Sequence, residues 1–517
     1  MNKLKYALLG CLLSASLCAS AQAQEFSYKG YILSDLRMTV GGQDRPDDVS
    51  PVLFDRSDNT VRFTGSFTWG SVDAVADLSL TYSGDSDVSA LKTLQSRSAV
   101  DPFYIESEAL YIRISDFIVD GLDIKLGRQI IDWGSADRFN PTSVINGLDL
   151  EDYQDFGRRV ANEMVNITYA PTWEVEGEDY TVFGDFQIQF VWVPKFKSGL
   201  VPQSSEYAFS EPNEFRRFVK SQTLYNLVDL QELFLDYDGT ILYDVHVVEP
   251  DFNIKNSQLA LRVGFTLLGV DLNFMAYHGY DHNMQPYTVD VNAVSTNDNV
   301  SKAIDTYIGL VAGSDEERRR LMNIMDGFGQ DDLIRTLTAY TDVDVVYPEV
   351  WVVGADFATS LDWLGGVGLW GEFSFTFHDD VPILIDINGN KFNEMQVDKG
   401  WFFKAVVGWD NSFTKWFYVN MQYIYGFVDE FGDNDLEHYL MVNTDFKMVN
   451  EQILLRLSLV MNLIDPSAIF MPSMTFGFWQ GASIVAGGLF HFGEDSSTFG
   501  NRTTGPNYVF LQAKYSF

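Results

Sequence analysis

Apolar and polar residues alternate one by one in segment after segment from Phe26 to Phe517. In "VRFTGSFTW", Val61, Phe63, Phe67 and Trp69 share one face, while Arg62, Thr64, Ser66 and Thr68 share the other. In "LALRVGFTL", Leu259, Leu261, Val263 and Phe265 oppose Ala260, Arg262 and Thr266. In "ILLRLSLVM", Ile453, Leu455, Leu457, Leu459 and Met461 oppose Arg456 and Ser458. A period of two marks a β-strand with unlike faces. The segments run at about 9 to 11 residues, the length a tilted strand needs to cross a bilayer. An arginine in mid-strand opposite a wholly apolar face puts lipid on one side and water on the other.

This pattern predicts strands near 26–40, 61–71, 73–83, 106–116, 122–133, 163–170, 183–195, 256–267 and 270–280. It continues near 346–360, 366–378, 401–411, 415–427, 436–448, 452–463, 471–479, 482–493 and 507–517. The connections alternate too. Short links such as Gly70-Ser71-Val72, Leu268-Gly269 and Asn411-Ser412-Phe413 fall at every second position, with mostly longer segments between. Trp69, Trp173, Trp363, Trp409, Trp416 and Trp479 lie in or beside the short links, as one interfacial aromatic girdle requires. The fold class expected is all-β: a transmembrane antiparallel up-and-down β-barrel of about 18 strands with long, partly helical extracellular loops.

The two ends of the chain agree. Lys3 and Lys5, an apolar run and Ala21-Gln22-Ala23 give a signal peptide over 1–23, leaving 24–517 as the barrel domain. Lipoprotein processing at Leu8-Leu9-Gly10-Cys11 is the other reading, but the apolar run before Cys11 is too short. The closing "NYVFLQAKYSF" alternates and ends on Phe517, resembling the terminal strand that the barrel assembly machinery recognises; an edge strand of a soluble domain is the alternative. The location expected is the outer membrane of a Gram-negative cell, integral and multi-pass, in contact with membrane lipid and lipopolysaccharide.

Composition narrows the classes. The 72 acidic residues against 35 basic ones give a formal charge of −37, which excludes a nucleic-acid partner. Both cysteines, Cys11 and Cys18, lie in the leader, so neither a disulfide framework nor a thiolate metal site is expected. The polar faces offer a pore lining of Arg37, Arg62, Asp77, Arg113, Arg262, Asp356, Glu372, Lys404 and Arg456. With Lys29, Lys514, Asp35, Asp185, Asp271 and Asp445 the wall carries eight basic and seven acidic groups, and this near balance favours hydrated, neutral or mixed-charge solutes. The other reading is that these charges pair and brace the wall. Arg128 is a special case. Ile124 and Leu126 face lipid, so strict alternation would put Arg128 there as well, at ~2 to 4 kcal/mol near the midplane. A bulge or kink near Gly127 that turns Arg128 into the pore is therefore predicted, with Trp133-Gly134 marking the outer interface.

Two long loops, 196–255 and 281–345, stand out. Ser314 and Glu317 form a capping box for a helix with Leu321, Ile324 and Met325 on one face. Arg318, Arg319 and Arg320 on it are candidates for a constriction, or for a solvated rim. In "DINGNKFNE", Asp386, Asn388, Asn390 and Glu394 present oxygens at alternate positions, a candidate structural calcium site with a plain turn as the alternative. No other cofactor is expected. The six histidines are scattered and Gly-x-Ser-x-Gly is absent, so no enzyme is expected.

The stretches "LGRQIIDWG…NP", "YHGYDHNMQP", "VVGWDNSFTKWFYVNMQYIYGFVDE" and "FMPSMTF" resemble a widespread uncharacterised group of bacterial outer-membrane β-barrels akin to alginate-export-type porins. The resemblance implies the barrel and its location, supplies no catalytic residue, and implies an inner-membrane transporter as a partner. The function expected is a porin-like channel for passive transport of small hydrophilic or acidic solutes. The alternatives are an outer-membrane component of a lipid or polymer export system, and a structural or adhesive surface protein.

Overall fold

A computed structural model describes residues 24–40, 54–84, 86, 91–176, 181–201, 240–295, 337–433, 436–494, 497–500 and 506–517. The predicted signal peptide and the arginines Arg318, Arg319 and Arg320 lie outside these residues.

The first strands are β1 (Gln24–Thr39), β2 (Phe54–Trp69), β3 (Val72–Ser83), β4 (Phe103–Ile114), β5 (Leu122–Gln129) and β6 (Asn162–Tyr169). After them come β7 (Val175–Glu176), β8 (Thr181–Val193), β9 (Thr240–Val248), β10 (Gln258–Leu267), β11 (Val270–Tyr280) and β12 (Gln285–Ser295). The third group is β13 (Leu337–Val346), β14 (Glu349–Leu361), β15 (Val367–His378), β16 (Val381–Ile387), β17 (Asn390–Val397) and β18 (Gly400–Thr414). The last are β19 (Phe417–Tyr425), β20 (His438–Met448), β21 (Ile453–Asn462), β22 (Ser467–Trp479), β23 (Ala482–Phe492) and β24 (Tyr508–Ser516).

Eighteen of these strands form a closed antiparallel barrel; β7 is a two-residue addition beside β8, and β9, β12, β13, β16 and β17 form a separate sheet. Each of the eighteen strands read from the alternation has its counterpart. Closure is made by β1 against β24, from Tyr31 opposite Ser516 to Thr39 opposite Tyr508. One step further, Gly30 and Phe517 exchange two backbone hydrogen bonds of 2.9 Å. Gly30 is needed there because a Cβ would stand 2.7 Å from the Phe517 ring and 2.5 Å from the Arg62 carbonyl oxygen.

The outer surface follows the predicted faces. Val61, Phe63, Leu259, Leu261, Phe274, Val353 and Val407 are exposed, as lipid-facing positions should be. Trp69, Trp173, Trp363, Trp416 and Trp479 are exposed at the short-turn end, and Trp351 and Trp401 at the opposite, long-loop end. From Trp351 to Leu361 along β14 is about 33 Å, or about 25 Å along the barrel axis at a ~40° tilt, the height of a membrane-spanning apolar band.

The five-stranded sheet lies in connections read above as loops. Its order is β17-β16-β12-β13-β9, with β12 parallel to β16 and β13 parallel to β9. Val289, Val291, Val343, Val345, Ile383 and Ile385 bury one face. On the other, Asp244, Asp342, Asp290 and Asp386 stand directly opposite one another across four strands. Part of the acidic excess resides in this row.

The calcium reading of 386–394 is corrected by the same sheet. Asn388 and Gly389 have φ of 50° and 85°, the mirror-image turn of a two-residue hairpin that joins β16 to β17. The Asp386 carboxylate accepts from the Gly389 amide at 2.7 Å and faces Lys391, whereas Glu394 sits opposite Ile383. That separation is about 10 Å along the hairpin, so the four oxygens do not converge on one ion.

Candidate functional site

The barrel wall alone would enclose a wide lumen. Residues 130–161 fill much of it. β5 stops at Gln129, and the chain that follows buries Ile131, Trp133, Phe139, Ile145 and Phe156 inside the barrel. An outer loop made of polar residues would stay in water; this one carries enough apolar side chains to leave it.

The segment reaches the far wall. Glu372 on β15 accepts from the amides of Ser135 (3.2 Å), Ala136 (3.1 Å) and Thr142 (2.8 Å), and from the Thr142 hydroxyl (2.7 Å). Gly134, with φ of 101°, allows this approach, because a Cβ there would lie 2.3 Å from the carboxylate. On β19, the Gln422 side chain accepts from the Asp137 amide at 3.2 Å and donates to its carbonyl at 3.1 Å. Trp133 donates through Nε1 to Gln189 on β8 at 2.9 Å. The return path is tied by Asp152 to Arg37 on β1 and Arg56 on β2, and by Arg158 to Glu106 on β4. Burial alone would raise the Asp152 carboxyl, but the hydrogen bonds and charge of Arg37 outweigh it and hold it below the ordinary range. Arg159 clips the segment to itself, donating to Asp132 (3.0 Å) and to the carbonyls of Ser143 (2.8 Å) and Asn146 (3.0 Å).

Two cavities flank the segment. One, of about 430 Å³, is polar and lined by Arg62, Lys125, Gln129, Asp132, Gln189 and Arg262 among others. The second, of about 690 Å³ toward the long-loop end, is largely apolar, with Phe139, Phe156, Phe402, Ile424, Phe427 and Tyr439 in its wall. His282 lines it as well; burial, with the Arg159 charge nearby, pushes its imidazole down to about 4, so it is neutral at physiological pH.

Of the charges read as wall residues, Arg62, Asp77 and Arg262 line the polar cavity and Lys404 the apolar one, and many are paired. Arg37 binds Asp35 at 2.6 Å, Arg62 binds Asp77 and Glu108, Arg113 binds Asp73, and Arg456 binds Asp445 at 2.7 Å. Asp356 accepts from Asn273 at 2.8 Å, and Lys404 donates to the Phe427 carbonyl at 2.6 Å. The bracing role of these charges is thus visible beside their place on the lumen.

Arg128 is a correction. The pairing of β5 with β4 and β6 runs unbroken through Gly127, with Arg128 opposite Leu110 and Glu163. It faces outward near the long-loop rim, donating to the Ser107 carbonyl at 2.6 Å and pairing with Glu163 at 3.2 Å. The register shift lies next door, where Asp77 and Ser79 of β3 face Ala109 and Glu106 of β4. Trp133 is the second correction: it is buried in the lumen rather than at the outer interface. Thr142, Gln422 and Asp152 were not anticipated; the apolar content of 130–161 was the available signal.

The geometry can be set against known proteins. A family profile described as "Protein of unknown function (DUF1302)" matches residues 110–456. The chain belongs to the DUF1302 family. The DUF1302 match runs from β4 into β21, so it takes in the inward segment, Glu372 and Gln422. No curated protein matches the chain. Among solved structures, OccAB3 of Acinetobacter baumannii is 9% identical over 95% of this chain and 99% of its own, with a TM-score of 0.44. OmpF of Salmonella typhi in complex with daunomycin is 9% identical over 95% and 97%, with a TM-score of 0.35. A mutant porin of Rh. blastica is 9% identical over 95% and 100%, also at 0.35. The likeness concerns the porin-like barrel fold alone.

Proposed function

We propose that this DUF1302 protein is an outer-membrane channel through which small organic solutes diffuse past an inward segment that sets the bore. The observation that carries the reading is the segment itself: residues 130–161 are tied to β15 and β19 on one side and to β1 and β2 on the other. Cavities of about 430 Å³ and about 690 Å³ remain beside it. A fixed constriction in a hydrated barrel selects by size and by the charges at its edge. The solutes in this reading are hydrophilic or acidic, and no catalytic step is part of it.

A second reading draws on one specific feature. Val350, Val352, Phe402, Val406, Ile424 and Tyr439 make the inner wall at the long-loop end apolar, whereas a diffusion porin is polar inside. This supports export of a lipid or another hydrophobic molecule, with an inner-membrane transporter as partner at the short turns. Single-channel recording of the purified protein in planar bilayers tests the first reading. Discrete conductance steps are expected; silence across salt and voltage ranges would overturn it and leave the export path.

A further inference from the structure

The polar cavity is lined by three cations and three carboxylates, but they are unevenly paired. Asp77 and Glu108 both bind Arg62, and Asp132 binds Arg159. Lys125 and Arg262, lining the same cavity, have no ion pair within 4.0 Å among the described residues. Lys125 lies over the Tyr111 ring at 5.6 Å, and the Arg262 Nε is buried without a hydrogen-bond partner. Asp123 attracts Lys125, and Asp356 and Glu372 attract Arg262, from a distance, but Asp356 is engaged by Asn273 and Glu372 by the inward segment.

The two cations stand on one stretch of wall, in rows two residues apart. Lys125 on β5 is opposite Asn166 on β6, and Arg262 on β10 is opposite Gln189 on β8. Gln189 joins the halves by donating to the Asn166 side chain at 3.0 Å. Asn166 pairs with Val191 and Gln189 with Thr168, so three strand spacings and a two-residue offset separate the cation-bearing backbones by about 16 Å, which two long side chains narrow to a gap of ligand size. Asn166 and Gln189 floor that gap with neutral groups.

We infer that this cavity is a binding station for small organic carboxylates. An anion supplies what Lys125 and Arg262 lack, and a planar carboxylate matches the guanidinium fork better than a spherical ion does. A carbon skeleton rather than bare chloride is favoured by Tyr111, Ile130, Ile131 and Trp133, which line the same cavity. The station rests on the channel reading for its role in transport, but not for its existence.

The test uses the full-length barrel, wild type and the double variant Lys125→Gln/Arg262→Gln, both checked for folding by heat-modifiable gel mobility. In planar bilayers the variant is expected to lose at least half of the chloride-over-potassium permeability ratio and to need at least fivefold more benzoate for the same block. Titration calorimetry with benzoate reads the station without any current: saturable binding to wild type, weakened at least fivefold in the variant, supports it even if no conductance is seen. Wild type and variant titrating alike, or a wild type that does not saturate, overturns it. A conducting barrel whose ion selectivity and benzoate block are the same in both proteins also overturns it.

Discussion

Thr142 and Glu372 are joined twice: one carboxylate oxygen accepts both the backbone amide and the hydroxyl of Thr142, at 2.8 and 2.7 Å. The pair ties the connection after β5 to the wall at β15, six positions around the eighteen-strand barrel. Glu372→Gln keeps the shape but turns an NH₂ group toward amide donors, which costs about 1 to 3 kcal/mol for each unsatisfied group. Single-channel conductance is expected to rise at least twofold and to become noisier, and an unchanged conductance would show that the carboxylate does not hold the segment.

His282 makes acid stability a separate test. Its imidazole is pushed from 6.5 down to about 4 in the folded protein, so the unfolded state binds more protons between those values. Stability is therefore full above pH 6.5, declines as pH falls toward 4, and loses on the order of 3 kcal/mol across that window. The melting temperature of the barrel should fall with it. His282→Gln should flatten that part of the profile; a variant with the same slope would remove His282 from the account.

At the seam, Gly30 leaves room for Phe517. Gly30→Ala would place a methyl group 2.5 Å from the Arg62 carbonyl and 2.7 Å from the Phe517 ring. The fraction of protein in membranes that shows heat-modifiable mobility should drop several-fold. Assembly at the wild-type level would mean that the seam has slack the close packing denies.

In the five-stranded sheet, burial and then the charges of Asp386 and Asp342 push the Asp290 carboxyl above its ordinary range. Like charges directly opposite on neighbouring strands cost roughly 0.2 to 1 kcal/mol. Asp290→Asn should slow proteolysis of β12 and β13 and reduce the protection that added salt gives wild type. Faster cleavage of the variant would indicate that Asp290 stabilises the sheet.

The barrel was legible because each strand states its faces locally: Arg62 between Val61 and Phe63 needs no knowledge of its neighbours. Arg128 was misplaced because alternation was overruled by the cost of a charge in lipid; Glu163 and the Ser107 carbonyl meet it at the rim, and the irregularity lies on β4. β12 and β13 did alternate, Val289 and Val291 against Asp290, Val343 and Val345 against Asp342 and Asp344. Their parallel partners β16 and β9 are distant in sequence, so nothing local announced a sheet. Asn388-Gly389 carried a hairpin signal that the alternating oxygens obscured. Residues 130–161 were hidden for a further reason: a period of two tells which way a strand faces, not where a connection goes.

Where that connection goes is measured most directly by bridging it to the far wall. The Asp137 backbone and the Gln422 side chain already exchange hydrogen bonds of 3.2 and 3.1 Å. With Asp137→Cys and Gln422→Cys in an otherwise intact barrel, dibromobimane, which fluoresces once it joins two nearby thiols, should label the pair in native membranes. Each single variant should stay dark. A double variant in which both thiols are alkylated separately and no bridge forms would contradict a segment that crosses the lumen.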